Sequence, residues 1–404
     1  MSEPLASSFP ATHRRSIAHL GAFPTLASNR LIGFIGSSML GVFLPIFLYE
    51  FFDASLSFVL LWFAIDFLIK LPFYVPAARA FSRIGLVRSM MIGTLGMVLF
   101  YGVFFLLDKN ISFHPFVLMA IGMFGLSLDS TFYWSPFHID MAKFMDAKRR
   151  GIQLGAYYSL QQIMSVVTPL AAAFLIAHFG YRANFFAGLI ISFLSIIPLF
   201  FVPERRVRYE FGYLESLRKL FSKKFRAMSF SMMALGAENI VASVVWPIFL
   251  FSLFRGSYLE VGGVTAAIIV ISLVLEMVVG KETDRMRAGF MIKWGTWIYA
   301  LGWVAKGIVS TLTGVFAAST FHSFSSIVVH TPLDALTYQQ AADSGHYIDE
   351  YTVLREMSLG IGRVVMLLLL IPLTTSFSIG YAFFAAAVVS LGMNWLVQYH
   401  AQES

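Results

Sequence analysis

The segment Pro45-Ile46-Phe47-Leu48 recurs unchanged as Pro247-Ile248-Phe249-Leu250, 202 residues further along the chain. Four other pairs fall at nearly the same separation: Ser82-Arg83 with Asp284-Arg285, Pro169 with Pro372, Gly180-Tyr181 with Gly380-Tyr381, and Ser135-Pro136 with Thr331-Pro332. One such match arises by chance, but five at corresponding places indicate an internal repeat. We therefore predict two related halves of about 200 residues each.

The composition around these repeats indicates a membrane protein. Of the 404 residues, 58% are hydrophobic and 13% are charged, whereas about 25% are charged in a soluble domain. This excludes a water-soluble globular protein, and the 42 Phe residues exclude a disordered chain. The absence of Cys excludes a disulfide framework, a Cys-ligated zinc site and a thiol nucleophile.

Apolar runs follow one another along the chain, and each is long enough to cross a bilayer as a helix of about 20 residues. We predict an all-α polytopic membrane protein with twelve transmembrane helices in two pseudo-symmetric six-helix bundles. The predicted spans 1 to 12 cover residues 31–50, 56–78, 87–107, 113–140, 152–177, 184–202, 229–254, 259–280, 291–311, 315–338, 352–374 and 378–398.

The Lys and Arg residues indicate the orientation. With the amino terminus inside, 23 of them fall on inner segments, 3 on outer segments and 3 within spans. Because cytoplasmic loops carry the excess of basic residues, we expect both termini in the cytoplasm and a location in the plasma or inner membrane. The net charge of +7 then reflects topology, so no nucleic-acid partner is expected.

The predicted organisation has five parts: a cytoplasmic tail over 1–29, a first bundle over 30–202, a linker over 203–228, a second bundle over 229–398 and a tail over 399–404. The first part lacks the apolar core and cleavage site of a signal peptide. Apolar residues at helical spacing among Arg and Lys predict that the linker forms an amphipathic helix on the inner leaflet. A plain solvated linker is the alternative.

Two loop motifs resemble the signature of the major facilitator superfamily of secondary transporters, Gly-x-x-x-Asp-Arg/Lys-x-Gly-Arg-Arg/Lys. The copy after span 8 reads Gly280-Lys-Glu-Thr-Asp284-Arg285-Met-Arg287, and the copy after span 2 reads Ala78-Arg-Ala-Phe-Ser82-Arg83-Ile-Gly85. The earlier copy lacks the first Gly and the Asp, which in the family holds a gate closed. The resemblance implies gating roles for Arg83, Gly85, Gly280, Asp284 and Arg285.

Span 5 matches part of a second family pattern, Gly-x8-Gly-x3-Gly-Pro-x2-Gly-Gly, which belongs to antiporters. Gly155 and Pro169 are present, whereas Met, Thr and Ala replace the other glycines. Small residues let helices approach closely, so the mechanical role of the pattern can persist, and the resemblance to antiporters favours export over import. Ordinary helix packing around a Pro kink is the alternative.

Ionisable residues within spans are costly in lipid and are functional candidates for that reason. In the family that the chain resembles, spans 1, 4, 7 and 10 line the central cavity. This implies contact with substrate or protons for Asp129, Glu238, Asn239, His330 and Asp334. Simple solvation is the alternative for Asp334. Tyr133, Trp134 and Trp246 stand beside these positions, which favours an aromatic-lined pocket for an amphipathic organic substrate.

Polar residues of span 2 and span 5 have a structural and a functional interpretation. Asp66 and Lys70 are four residues apart and would pair on one helix face, or take part in transport. Tyr157 and Gln161 would bind a ligand or pack against a neighbouring helix.

Two cations lie within the later spans, where a buried positive charge is costly without a partner. Arg363 of span 11 is a further candidate for the binding site and needs a carboxylate partner, for which Glu238, Glu276 and Asp334 are available. Span 9 is peripheral in the family, so we expect Lys306 to extend its side chain outward to the membrane surface.

The sequence contains no His-x3-His, His-Glu-x2-His, Gly-x-Ser-x-Gly or Gly-x4-Gly-Lys-Ser/Thr motif. We therefore expect no enzyme, no cofactor and no metal site. We predict secondary active transport of a small molecule by alternating access in the lipid bilayer, by a monomer and with protons as the coupling ion.

Asp129 or Glu238 is expected to carry the proton, since intramembrane carboxylates serve in proton relays. Export by antiport is the favoured direction. Import of a sugar, organic acid or amino acid by proton symport is the alternative. A membrane sensor or a lipid flippase with a transport fold is the alternative of another class.

Overall fold

A computed structural model of the chain describes residues 11–107, 114–145, 150–206, 211–283, 288–343 and 348–396. These residues form helices and connecting segments, and no strand occurs among them. The α-helices are α1 (Ala11–Leu40), α2 (Phe43–Phe51), α3 (Leu56–Ile84), α4 (Leu86–Leu106), α5 (Pro115–Phe132), α6 (Trp134–Phe144), α7 (Arg150–Leu199), α8 (Tyr213–Leu220), α9 (Arg226–Ile240), α10 (Trp246–Leu253), α11 (Tyr258–Thr283), α12 (Ala288–Ile308), α13 (Leu312–Asp343), α14 (Ile348–Ser376) and α15 (Gly380–Ser390).

These helices fill the twelve predicted spans. Within the described ranges, nine helical segments are long and apolar enough to cross a membrane. One of them, Ile152–Leu199, holds two spans, because Gly180 interrupts the helix with a φ of +77°. Ala288–Ile308 and the shorter Gly380–Asn394 complete the set. The prediction of an all-α polytopic fold with two six-helix bundles is thus confirmed.

Spans 1, 4 and 7 are each assembled from two helices, and a proline follows each junction. Pro45 lies near the start of α2, Pro136 near the start of α6 and Pro247 near the start of α10. Proline lacks the N–H that would continue the hydrogen-bond ladder. In span 7 the junction is a π-helical turn, Val241–Val245, directly after α9. The repeated Pro-Ile-Phe-Leu segment therefore marks the same break in both halves.

Packing defines two bundles and the contacts between them. In the first bundle α1 packs on α7 and α4 packs on α5, and in the second α9 packs on α14 and α12 on α13. Between the bundles, α3 packs along α14 and α7 along α11.

The bundles also meet at one end of the molecule, which we call the far end. There the Tyr258 hydroxyl donates a hydrogen bond of 2.7 Å to the Glu50 carboxylate, and the ring of Tyr181 lies 5.6 Å from that of Tyr258. Towards the opposite end, which carries α8, α1 packs closely on helices of the first bundle, and α13 packs closely on helices of the second. The family resemblance places the central cavity here, and we call the region between α1 and α6 on one side and α13 and α14 on the other the cleft; α6 and α14 touch each other within it.

The first span begins earlier than the sequence predicts. Residues 21–29 were expected to belong to a tail, but they are helical and form part of the span Gly21–Phe51. Asn29 and Arg30 interrupt the apolar run, and hydropathy alone places the boundary there. Inside the bundle, Asn29 donates a hydrogen bond to the Ser195 carbonyl (2.6 Å) and accepts one from the Tyr133 hydroxyl (2.7 Å).

The described part of the predicted linker contains one short helix, α8. Ser216 and Leu220 are buried, whereas Leu214 is exposed. This helix touches α3 of the first bundle as well as α9 and α14 of the second. The amphipathic linker on the inner leaflet stays a prediction.

The loop after span 2 is anchored by a residue that the sequence motif does not include. Gly85 joins α3 to α4 with a φ of +105°, a conformation that favours glycine. The Glu204 carboxylate accepts hydrogen bonds from the backbone N–H groups of Val87 (3.0 Å) and Arg88 (3.2 Å). A carboxylate is stabilising at a helix N-terminus, so Glu204 fixes this loop within its own bundle.

The other residues with expected gating roles are placed only in part. Arg83 is exposed at the end of α3, and Gly280 lies in α11. Asp284 and Arg285 lie outside the described residues. The gating roles themselves stay predictions.

Candidate functional site

A group of polar side chains surrounds Glu238 inside the second bundle. Glu238 of α9 is 2% exposed, and its Oε2 accepts a hydrogen bond of 2.8 Å from the Tyr299 hydroxyl of α12. Nε2 of His330 in α13 lies 3.7 Å from Oε1 of the same carboxylate. Two other helices, α12 and α13, thus bring polar groups to one buried acid. We call Glu238, Tyr299, His330 and Lys306 the Glu238 cluster.

Lys306 supplies a positive charge to this cluster. Its Nζ lies 4.4 Å from the ring centroid of Trp246 and 4.9 Å from that of Trp303, and its charge acts on Glu238. The prediction that Lys306 extends outward to the membrane surface is wrong, because the side chain is buried. The faces of two indole rings attract the ammonium group and hold it inside the bundle.

His330 connects the cluster with the cleft. Its side chain is 30% exposed, whereas Glu238 beside it is closed off from solvent. Nδ1 of His330 lies 3.1 Å from the Ser326 hydroxyl, so one edge of the ring is held while the other faces the acid. Asn239 is exposed next to the buried Glu238 and lies outside the cluster.

Arg30 of α1 is the corresponding buried cation of the first bundle. Its guanidinium carbon lies 4.3 Å from the ring centroid of Trp134 and 5.6 Å from that of Phe34. Tyr133 and Tyr157 lie close to the same group. We call these five residues the Arg30 box.

Arg30 directly precedes the predicted span 1 and was counted among the basic residues of the inner segments, but it is only 7% exposed within the helices. Its aromatic neighbours Tyr133 and Trp134 lie about a hundred residues away in sequence, and no local pattern links them to Arg30. Of the predicted site residues, Tyr157 belongs to the box, and Gln161 lies half-buried one turn further along α7.

The first bundle also contains the predicted carboxylates Asp66 and Asp129. Asp66 and Lys70 form the expected pair, with 2.5 Å between Nζ and Oδ2, and both are buried. Asp129 is half-buried in α5, and the cations that act on it are Arg30 and Lys70.

Arg363 of α14 lies across the bundle interface from α3. Its guanidinium carbon is 5.1 Å from the ring centroid of Phe67, and its charge acts on Asp66. The expected carboxylates have other neighbours: Glu238 has Tyr299 and His330, Glu276 accepts a hydrogen bond of 3.1 Å from Gln162, and Asp334 lies 3.9 Å from Arg355. The proposed partners of Arg363 are wrong, because α3 packs along α14 and brings Asp66 closer.

Charged residues line the cleft near the end that carries α8. The Asp334 side chain is 50% exposed and lies 3.9 Å from Arg355, which also forms an ion pair of 2.9 Å with Glu356. His138 of α6 is exposed, and the charges of Arg355, Glu356 and Arg30 act on it. Both interpretations of Asp334 therefore apply: its side chain is partly exposed, and it lines the cleft.

Comparison with known proteins identifies the architecture. A model of the Major Facilitator Superfamily matches residues 26–348. A crystal structure of a mutant of the peptide transporter POT in complex with sulfate aligns with a TM-score of 0.67 at 12% identity, covering 94% of each chain. A bacterial homologue of the human drug peptide transporters PepT1 and PepT2 gives 0.67 at 13% identity, covering 95% of this chain and 98% of that chain. No curated protein sequence matches this chain.

Proposed function

Because this chain belongs to the major facilitator superfamily, a family of multi-pass secondary transporters, we propose that it moves a small organic molecule together with protons. The observation that carries the coupling is the Glu238 cluster, a buried acid with a partly exposed imidazole beside it. We further infer that the chain acts as a monomer in the plasma or inner membrane, with both termini in the cytoplasm.

Glu238 is the proposed proton carrier. Tyr299 holds one carboxylate oxygen through a hydrogen bond of 2.8 Å, and the other oxygen faces His330. The separation of 3.7 Å exceeds hydrogen-bond length by a small margin, so a small movement of the ring completes the path. The exposed part of His330 links that path to the cleft. Asp129 is the second candidate, and no hydrogen-bonded titratable relay reaches it among the described side chains.

The geometry favours symport over the antiport that the span 5 pattern indicated. Direct exchange requires that substrate and proton compete for one carboxylate. Glu238 is closed off, and the neighbouring His330 is partly exposed. A substrate in the cleft and a proton on Glu238 therefore occupy separate places and bind together.

In an alternating-access cycle, the contacts between the two bundles indicate which conformation the structure represents. Tyr258 and Glu50 join the bundles at the far end, and we infer that the cleft opens towards the other end, which carries α8. With the termini in the cytoplasm, as the basic residues predict, this state faces inward. Rocking of the bundles would then open the far end to the outside.

The test is flux in proteoliposomes that contain a pH-sensitive dye and are offered labelled organic acids, amino acids and sugars. We expect accumulation of one class when the outside is acidic, with protons moving in the same direction. Glu238→Gln should abolish gradient-driven accumulation and retain exchange of labelled for unlabelled substrate. Glu260→Gln, which changes an exposed acid of α11, should behave as wild type.

Each other outcome contradicts part of the proposal. Protons that move against the substrate would establish antiport. Gradient-driven accumulation in Glu238→Gln would remove Glu238 as the carrier. Ligand binding without flux of any compound would favour a sensor.

A further inference from the structure

We propose that the Arg30 box binds an anionic group of the substrate, and that the transported molecule is a small carboxylate with an apolar or aromatic part. This inference rests on the proposed transport function and names its substrate class. It assigns a binding role to Arg30, which was counted among the basic residues of the inner segments.

The first step is the charge of Arg30. The side chain is 93% buried, and no carboxylate of the described residues lies within ion-pair distance of it. Asp129 acts on Arg30 only from further away. A buried cation is costly unless it is paired. The aromatic faces of the box compensate part of this cost, and a bound anion would supply the missing partner.

The second step is the shape of the box. The ring of Trp134 covers the guanidinium at 4.3 Å, and the hydroxyl groups of Tyr133 and Tyr157 each hydrogen-bond to it. A planar guanidinium has five N–H groups, so further N–H groups along its edges remain for a ligand. These edges match the two oxygens of a carboxylate. Tyr133 is fixed by its hydrogen bond to Asn29, and Asn29 in turn by Ser195. The box is therefore held in shape before a ligand arrives.

The third step is access from the cleft. His138 lies one turn after Trp134 on α6, and the two rings stack with centroids 5.8 Å apart. His138 is exposed and Trp134 is half-buried. A ligand that enters the cleft passes His138, and an imidazole N–H there offers an additional donor. The indole and phenol rings provide the apolar surface for the remainder of the molecule.

The fourth step is the charge on the opposite wall. Among the described residues, Arg355 is the one cation within ion-pair distance of Asp334 and Glu356, so with both acids ionised this group carries a net negative charge. An anionic group is repelled from that wall and attracted to Arg30. The two walls of the cleft therefore orient a carboxylate towards the first bundle.

The test is calorimetric titration of the purified protein at equal pH throughout, without a gradient. The probes are benzoate, phenylacetate, succinate and lactate, each paired with its amide. We expect at least one carboxylate to bind about tenfold or more tightly than its amide, because hydrogen bonds to charged groups are the strong ones. Equal binding of every carboxylate and its amide, or no binding of any carboxylate, would overturn the inference.

Variants of the box give a second readout. Arg30→Lys keeps the charge but loses the planar fork, and we expect about tenfold weaker binding. Tyr157→Phe removes only a hydroxyl group and should weaken binding several-fold. Arg218→Gln, which changes an exposed residue of α8, is the control. Unchanged affinity in both box variants, with thermal stability retained, would also overturn the inference.

The outcome separates this inference from the transport proposal. Carboxylate binding without proton-coupled flux would retain the Arg30 site and reject the proposed function. Proton-coupled flux of uncharged compounds would retain the proposed function and reject the Arg30 site.

Discussion

Nε2 of His330 lies 3.7 Å from Oε1 of Glu238, and only His330 of this pair reaches solvent. The two residues come from α13 and α9, so the contact depends on how these helices pack within one bundle. In the proposed coupling, a proton that leaves Glu238 towards the cleft would meet the imidazole first, so the pair would give the buried acid a defined exit.

Replacement of His330 should slow coupling without removing it. In His330→Gln we expect gradient-driven uptake to fall about tenfold at saturating substrate, in the range in which general acid–base groups contribute. Exchange at equal pH should remain, because it requires no net proton release. Proteoliposome flux measures both, and His178→Gln, at an exposed position of α7, is the control. Equal slowing of uptake and exchange would contradict the relay role.

We expect that removing one partner of the Asp66–Lys70 pair lowers the stability by more than the attraction within the pair contributes, because a buried charge is then left unpaired. Asp66→Asn leaves Lys70 buried without its partner, with Arg363 nearby. We expect a loss of about 3–5 kcal/mol, the cost of breaking a buried ion pair. Thermal unfolding in detergent measures this loss.

The matched experiment removes both charges. Asp66→Asn combined with Lys70→Met should recover much of the lost stability, because no unpaired charge then remains at this position. A double variant that is less stable than either single variant would show that the pair stabilises the fold by its own attraction.

The hydrogen bond from Tyr258 to Glu50 should hold the far end closed. Tyr258→Phe removes the donor, and we expect a larger population with the far end open. Because the chain contains no Cys, spin labels at Ser57→Cys and Glu260→Cys report the distance between the bundles by pulsed electron resonance. Tyr213→Phe in the linker helix is the control. An unchanged distance distribution in Tyr258→Phe would contradict the latch.

Glu204 should stabilise the start of α4. In Glu204→Gln the backbone N–H groups of Val87 and Arg88 lose a charged acceptor. We expect a loss of about 1 kcal/mol and faster hydrogen exchange at these two amides. Glu215→Gln, in the linker helix, should leave their exchange unchanged. If exchange at Val87 and Arg88 stays as slow as in wild type, Glu204 is not the anchor.

The fold was predictable because its signals are local or periodic. Apolar runs of sufficient length specify spans, the Pro-Ile-Phe-Leu repeat specifies two halves, and the four-residue spacing of Asp66 and Lys70 specifies a pair on one helix face. Each of these signals can be read without knowledge of the neighbouring helices.

The site was less predictable because its contacts join distant parts of the chain. Arg30 interrupts an apolar run and therefore predicts the end of a span. Its burial depends on aromatic rings near α6 and in α7, which are distant in sequence. The sequence around Lys306 does not show that this residue is buried, because the ring of Trp246 that it contacts belongs to another span. Arg363 faces Asp66 only because spans 11 and 2 pack across the two bundles.

The position of α8 has a mechanical consequence. This helix touches α3 on one side and α9 and α14 on the other, so it bridges the two bodies that alternating access moves apart and together. If the bundles rock as proposed, α8 would have to separate from one bundle while it stays on the other. The helix would then act as a short link between the bundles, and the strength of its contacts would affect how readily the protein returns to its starting state.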